Sequence, residues 1–288
     1  MIPREFQYHA PSSLPEALGL LRDLGEDARL LAGGHSLLPM MKLRFAGPAH
    51  LVDLGRIAEL KGIREEGGVL RIGAMTTEHE VIASKLLQAK CPLLVEGARL
   101  IADPQVRYKG TVGGDIAHGD PGNDHPALMI ALGASFVLRS AAGERTVPAV
   151  DFFHGTYETD LRPGEILTEI RVPVPAAGTG ACYAKLKRKV GDFATAAAAV
   201  TLQMRGGKVQ DVAIALTNVA PTAVKARAAE ERLRGGALDD EAIEDAAMLA
   251  TAVCDPMEDQ RGDAEYKVAM AAEMTRRALR IAASRATD

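Results

Sequence analysis

Two Gly-Gly pairs, far apart from each other in the chain, constrain its folding more than any other feature. The first pair lies in AGGHS at 32–36, after a short apolar run, and the second lies in GTVGGD at 110–115. Glycine adopts left-handed backbone conformations that cost other residues roughly 1–2 kcal/mol, so successive amides can point into one concavity and bind phosphate. Together the pairs predict a clamp for the two phosphates of a dinucleotide, whereas either pair alone is more typical of a tight turn.

The common nucleotide and hydrolase fingerprints are absent from the sequence. No G-x-G-x-x-G and no G-x-x-x-x-G-K-[ST] occurs, which excludes a Rossmann dinucleotide site and a Walker A loop. A nucleophile elbow, G-x-S-x-G, fails because Leu38 stands two places after Ser36. If the glycine pairs bind a nucleotide, they do so in another fold.

A polar loop, AHGDPGNDHPAL, offers a competing interpretation. It contains four potential metal ligands, His118, Asp120, Asp124 and His125, which favours a free-standing metal-dependent hydrolase as an alternative function. The same loop also fits a structural role, in which Asp120 and Asn123 shape a turn and Asp124 caps the following helix, with or without contact to a bound cofactor. The sequence alone leaves these alternatives open.

The pattern of elements predicts three units, 1–55, 56–176 and 177–288. Ser13 and Glu16 have capping-box spacing before an amphipathic helix, and HLVDL is typical of a strand. A hairpin is predicted around Glu65–Gly68, and helices are predicted on both sides of the second glycine pair. A break at Pro173–Gly180 precedes strands joined at Gly206-Gly207 and then Ala-rich helices. We therefore expect α/β units followed by an α+β unit.

Composition excludes several classes of function. The 34 Lys and Arg against 38 Asp and Glu give a formal charge of -4, so no bulk positive field is available for nucleic acid. No run approaches the roughly 20 apolar residues of a membrane span, and MIPREFQYHAPSS lacks the pattern of a signal peptide. Three dispersed cysteines, Cys91, Cys182 and Cys254, argue against disulfides and iron–sulfur motifs. We expect a cytoplasmic protein with no membrane span.

Three segments, in order, resemble one known family. They are AGGHSLLPMMKLR, IADPQVRYKGTVGGDIAHGDPGNDHPAL and KLKRKVGDFATAAAAV, and the likeness extends from the opening IPREFQYHAPSSLPEAL to the closing EYKVAMAAEMTRRAL. The chain is similar to the FAD-binding medium subunits of molybdenum hydroxylases, with the carbon monoxide dehydrogenase branch nearest. The resemblance implies two N-terminal α/β FAD-binding subdomains of the PCMH/VAO-like type and a C-terminal domain of a sheet and helices.

The same resemblance implies a set of FAD-binding residues and no catalytic acid or base. Both glycine motifs would grip the pyrophosphate and ribityl chain, Ile101 would face the flavin, and Phe193 would lie over it. The implied positions are Ala32, Gly33, Gly34, His35, Ser36, Ile101, Thr111, Val112, Gly113, Gly114, Asp115, Asp124, Leu167, Lys185 and Phe193. Two of them depart from the family pattern, since Asp115 replaces an Asn and Phe193 replaces a Tyr.

The implied function is electron transfer through FAD within a larger oxidoreductase. A large subunit would oxidise the substrate at a molybdenum cofactor, and a small subunit would relay electrons through [2Fe–2S] clusters to this chain. The family implies a dimer of such heterotrimers and an external electron acceptor. Carbon monoxide, a nicotinate-like heterocycle, an aldehyde and a purine all remain open as substrates, because specificity lies in the molybdenum subunit.

Overall fold

A computed structural model describes residues 2–287. Within that range the strands form three main sheets and one two-stranded ribbon. The first sheet is parallel, with strand order β1-β3-β2, and carries two helices. Its elements are β1 (Gln7–His9), α1 (Leu14–Leu24), β2 (Ala28–Leu31), α2 (Leu37–Lys42) and β3 (His50–Asp53).

Helix α1 begins where the sequence predicts it, but its cap differs in detail. The Ser13 hydroxyl accepts a hydrogen bond from the amide of Glu16, as an N-cap should. The Glu16 carboxylate accepts from the amide of Ser12 rather than from that of Ser13, so the reciprocal capping box is not formed. Leu14 and Ala17 bury the apolar face of the helix against the first sheet.

The second sheet is antiparallel, with order β4-β5-β10-β6-β7, and a layer of short helices covers it. The hairpin predicted around Glu65–Gly68 is confirmed, with Gly67 and Gly68 both at positive φ. The elements of this unit are β4 (Ile63–Glu66), β5 (Val69–Gly73), α3 (Glu78–Ala83), α4 (Lys85–Lys90), α5 (Pro92–Leu100), α6 (Pro104–Arg107), α7 (Val112–His118), α8 (Asp124–Ala131), β6 (Ser135–Ser140), β7 (Gly143–Pro148), β8 (Phe153–Gly155), β9 (Glu158–Thr159) and β10 (Ile166–Pro173).

The helices predicted before the second glycine pair are confirmed, and the stretch 78–100 divides into three of them. Thr77 and Glu80 form a full capping box at the start of α3. The Ser84 side chain then caps α4, and Pro92 stands in the first turn of α5, where its missing N–H costs nothing. Each new cap redirects the chain, and the helices that follow place α7 against β10 and α8 against α5.

The last unit packs three helices on an antiparallel sheet of order β11-β12-β13-β14. The turn at Gly206-Gly207 is confirmed, since both glycines adopt positive φ between two long strands. The Asp263 side chain caps the longest helix. The elements are β11 (Gly180–Leu186), β12 (Ala196–Arg205), β13 (Lys208–Thr217), β14 (Val224–Lys225), α9 (Arg227–Leu233), α10 (Asp240–Ala250) and α11 (Ala264–Arg285).

The mixed α/β character with a distinct C-terminal sheet-and-helix unit agrees with the predicted fold class. The domain limits at 55/56 and 176/177 remain predictions, because the apolar cores meet across them: Met75 and Ile166 join the core of the first sheet. No helix between residues 2 and 287 combines the length and hydropathy needed to cross a bilayer.

Candidate functional site

The two glycine segments lie against each other. A Cβ atom on Gly33 would stand 2.3 Å from the carbonyl oxygen of Lys109 and 2.8 Å from the Cα of Gly110. A Cβ on Gly114 would stand 3.4 Å from the side chain of Ala32. The end of β2 and the start of α7 therefore meet backbone to backbone.

The first segment presents a row of unused amides. Neither backbone nor side-chain atoms of the described chain accept a hydrogen bond from the N–H groups of residues 33–37. Gly34 has a φ of +77°, which turns the chain between β2 and α2, and the Ser36 side chain makes no cap contact with the helix. Consecutive free amides around a left-handed glycine form a concave anion site. This geometry fits the diphosphate of a dinucleotide.

The second segment is different, and the prediction of a second amide nest there is wrong. The amide of Val112 donates to Thr76 O at 3.0 Å, and that of Gly113 donates to Ala74 O at 2.9 Å. The amide of Gly114 donates to the Thr111 hydroxyl, which caps α7. A Cβ on Gly113 would stand 2.5 Å from that of Ala74. The glycines serve close packing of α7 on the chain after β5, because their amides are already paired.

Asp115 has a buried carboxylate in the first turn of α7. Its Oδ2 atom has no hydrogen-bond partner in the described chain. Burial raises the pKa of Asp115 to about 8; His125 opposes this rise, and the carboxylates of Glu78 and Asp124 add to it. At neutral pH this carboxyl is therefore largely protonated.

Asp124 and His125 each belong to a separate buried pair. The Asp124 carboxylate accepts from Lys185 Nζ at 2.7 Å and from the Tyr183 hydroxyl at 2.6 Å. The side chains of Lys185 and Asp124 are 1% and 5% exposed, so this ion pair joins α8 to β11 out of water. His125 Nε2 lies 2.8 Å from Glu78 Oε2; although burial opposes the charge, Glu78 raises the pKa of His125 to about 9.

The four residues of the metal hypothesis do not converge. His118 packs its ring against Tyr157, with centroids 4.9 Å apart. Asp120 accepts from the Gly122 amide and the Tyr157 hydroxyl, which is the turn-forming role. With Asp124 and His125 in the separate pairs above, no cluster of three His, Cys, Asp or Glu residues in the described range has the geometry to hold a metal ion.

The remaining site residues lie on three different elements. Ile101 is half-buried at the end of α5, beside Ala102 with φ +42°. Leu167 lies in the apolar core, at a bulge in β10. Phe193 is 45% exposed on the loop between β11 and β12, and that loop reaches Ala102, since a Cβ on Gly191 would stand 3.5 Å from it. The orientation of these three side chains toward a flavin remains a prediction.

Sequence reasoning missed several residues of this region. Tyr183 precedes Lys185 by two positions, so both lie on one face of β11, and that alternation was a usable signal. Arg107 donates to the carbonyl oxygens of Ile101 and Ala102 and holds the end of α5. Glu78 and His125 stand at the starts of α3 and α8, 47 residues apart in the chain, and no local pattern predicts such a contact.

Comparison with known proteins identifies the family. Residues 4–175 match the family described as FAD binding domain in molybdopterin dehydrogenase, and residues 181–282 match the CO dehydrogenase flavoprotein C-terminal domain. The chain belongs to this flavoprotein family. FAD is therefore its cofactor, and the resemblance seen in the sequence is confirmed.

Individual members of this flavoprotein family align along the whole chain. The carbon monoxide dehydrogenase medium chain of Hydrogenophaga pseudoflava is 60% identical over 99% of both chains. That of Afipia carboxidovorans is 56% identical over the full length of both. A solved structure of the Hydrogenophaga pseudoflava enzyme, lacking the Mo-pyranopterin moiety, superposes with a TM-score of 0.99 at 62% identity over 100% of both chains. These relatives are oxidoreductases, so the metal-dependent hydrolase has no support.

The buried carboxyl of Asp115 predicts a pH dependence of folding. Its pKa lies at about 8 in the folded protein, against 3.8 for an ordinary Asp, so between these values the folded state binds the extra proton. Stability then falls as pH rises. His125 acts in the same sense between 6.5 and about 9. We expect the free energy of unfolding in urea to decrease less between pH 5 and pH 8 in Asp115→Asn than in the wild type.

An exposed carboxylate supplies the control for this experiment. Asp151→Asn changes a solvent-exposed side chain and should leave the pH profile of unfolding as in the wild type. If Asp115→Asn gives the wild-type slope as well, the carboxyl of Asp115 is ionised in the folded state and this assignment is wrong.

Proposed function

We propose that this chain is the electron-transfer subunit of a molybdenum hydroxylase complex that oxidises carbon monoxide. In the proposal it takes electrons from the [2Fe–2S] clusters of a small partner subunit and passes them to an external acceptor. A large partner subunit carries the molybdenum cofactor, and two such heterotrimers form the complex in the cytoplasm. The observation that carries the proposal is the full-length likeness, at 60% and 56% identity, to carbon monoxide dehydrogenase medium chains.

The cysteines support a partner as the source of electrons. Cys91 and Cys182 are buried, and Cys254 is half-buried elsewhere in the structure. Burial raises the pKa of the Cys91 thiol to about 12, which disfavours the thiolate that a cluster needs. Iron–sulfur clusters require grouped cysteine thiolates, and the described residues offer no such group. In the proposal, an iron–sulfur cluster that reduces the flavin therefore belongs to another chain.

The chain's own residues would hold and orient the cofactor. The free amides of residues 33–37 fit the diphosphate, and the segment at 109–114 packs directly against them. The Asp124–Lys185 pair joins the FAD-binding domain to the C-terminal domain, which fixes the loop carrying Phe193 relative to Ile101. Bound FAD would supply the exchange of single electrons with a cluster and of electron pairs with an acceptor.

The proposal is tested by following the flavin's visible absorbance when the substrate is added without oxygen. The chain is co-expressed with the subunits encoded beside its gene, and the complex is purified and exposed to carbon monoxide. We expect the absorbance to bleach and to return when an acceptor dye is added. A flavin that stays oxidised while the complex still oxidises carbon monoxide with the dye would contradict the proposed electron path. A complex that does not oxidise carbon monoxide would contradict the proposed substrate.

A further inference from the structure

Two loops of the C-terminal domain meet at the side chain of Phe193. The first, 187–195, joins β11 to β12 and carries the aromatic ring. The second, 251–263, joins α10 to α11 and ends beside the first. Arg261 of the second loop connects them, because its guanidinium carbon lies 5.3 Å from the centroid of the Phe193 ring. Cations at this distance are attracted to the face of an aromatic ring.

The same guanidinium is fixed by Asp192. Its Nε and Nη2 atoms lie 3.3 and 3.2 Å from Asp192 Oδ1, and the other carboxylate oxygen accepts from Arg188 Nε at 3.0 Å. Burial favours the neutral acid, but Arg188 and Arg261 hold the pKa of Asp192 below its usual value. The amide of Phe193 also donates to Asp192 Oδ1, at 2.9 Å. One carboxylate thus aligns the backbone of Phe193 with the cation over its ring.

The second loop is itself anchored to the core. Lys267 of α11 is fully buried, and its Nζ donates to Met257 O at 2.7 Å and pairs with Asp259 Oδ2 at 3.0 Å. Asp259 in turn accepts from the backbone amide and from Nη1 of Arg261. Arg188 crosses between the loops by donating to Gln260 O at 2.9 Å. Arg261 is therefore held from two sides before any ligand binds.

Phe193 itself has little else to fix it. The ring is nearly half exposed, and its close neighbour from the FAD-binding domain is Gly122, where a Cβ would stand 3.3 Å from the ring. The preceding Gly191, with φ +84°, lets the loop bend toward Ala102. A cation over a half-exposed ring adds little to the stability of the fold. The fixed orientation matters more to a group that the ring will contact.

We propose that Arg261 is a positioning residue for FAD, which holds the Phe193 ring in the orientation that covers the flavin. This inference rests on the proposed function, in which Phe193 lies over the flavin. Without the guanidinium, the ring and its loop would have to be ordered when FAD binds. Ordering one such side chain weakens binding by about threefold to tenfold.

The test is a double-mutant cycle read out as the dissociation constant of FAD. The purified complex is stripped of flavin and titrated with FAD as wild type, Arg261→Met, Phe193→Ala and the double variant. We expect Arg261→Met to weaken FAD binding by about threefold to tenfold, and to have no further effect in the Phe193→Ala background. Arg261→Lys, which keeps the cation, should recover part of the loss.

A matched arginine separates positioning from general stability. Arg280→Met removes an exposed arginine of α11 that pairs with Asp240, and it should leave FAD binding at the wild-type value. Because Arg261 pairs with the buried carboxylate of Asp192, Arg261→Met should lower the thermal midpoint of the flavin-free protein with or without Phe193, whereas the loss of FAD affinity should appear only where Phe193 is present. Equal losses of affinity from Arg261→Met in both backgrounds would overturn the inference. A wild-type complex that binds no FAD would refute the proposed function first, and this inference with it.

Discussion

Replacing Gly34 by valine is expected to empty the protein of FAD while the fold stays intact. Gly34 holds φ at +77°, a conformation that a β-branched residue avoids, so the row of amides at 33–37 would be rearranged. Each charge-assisted hydrogen bond lost to the diphosphate is worth roughly 1.5–3 kcal/mol, which lowers affinity about tenfold or more. The nearest atoms to a new Cβ belong to the Leu38 side chain, which can move.

Flavin content of the purified protein and its circular dichroism spectrum measure the two parts of this prediction. Gly206→Val is the matched control, because Gly206 also has positive φ, in the β12–β13 turn, with open space around it. That variant should carry similar backbone strain and keep its FAD. Unchanged FAD content in Gly34→Val would show that the first glycine pair is only a turn.

Replacing Gly113 by valine is expected to destabilise the fold itself, unlike the same substitution at Gly34. A Cβ there would stand 2.5 Å from Ala74 Cβ and 2.6 Å from Ala74 O, so α7 must move away from the chain after β5. Overpacking typically costs about 1–3 kcal/mol, and the hydrogen bond from the Gly113 amide to Ala74 adds about 1 kcal/mol. The free energy of unfolding in urea should fall by roughly 2–4 kcal/mol.

Gly19→Val gives the comparison for this second variant. Gly19 also lies within a helix, α1, but nothing stands within 4 Å of a Cβ at that position, so its stability should stay close to that of the wild type. A Gly113→Val protein with wild-type stability and reduced FAD content would mean that the second pair lines the cofactor directly. That result would restore the interpretation of two equivalent amide nests.

Short-range sequence patterns correctly predicted the elements that depend on residues adjacent in the chain. Helix α1, the hairpin around Gly67-Gly68 and the turn at Gly206-Gly207 depend on residues adjacent in the chain. The free amides of the first glycine pair belong to the same class, because the left-handed Gly34 alone turns that segment. The family resemblance then identified the cofactor as FAD, which no single motif specifies.

Contacts between distant segments explain what the sequence could not reveal. Gly113 looked equivalent to Gly34, yet its amide is taken by Ala74, a partner that only the packing of α7 on the second sheet supplies. The sequence made Asp124 a candidate metal ligand. In the structure its two carboxylate oxygens accept hydrogen bonds from Tyr183 and Lys185, which both lie on β11. Arg261 lies far along the chain from Phe193, and only the packing of two loops brings its cation to the ring.

Recognition of the FAD diphosphate by the amides of residues 33–37 is most directly measured by titrating the flavin-stripped complex with FAD and with riboflavin. Riboflavin has the same ring system and no phosphate. We expect FAD to bind at least about 100-fold more tightly, the equivalent of roughly 3 kcal/mol from two or more amide contacts, and Gly34→Val to weaken FAD binding while leaving riboflavin binding unchanged. Equal affinities of the wild type for both compounds, or an equal loss for both in Gly34→Val, would contradict the account.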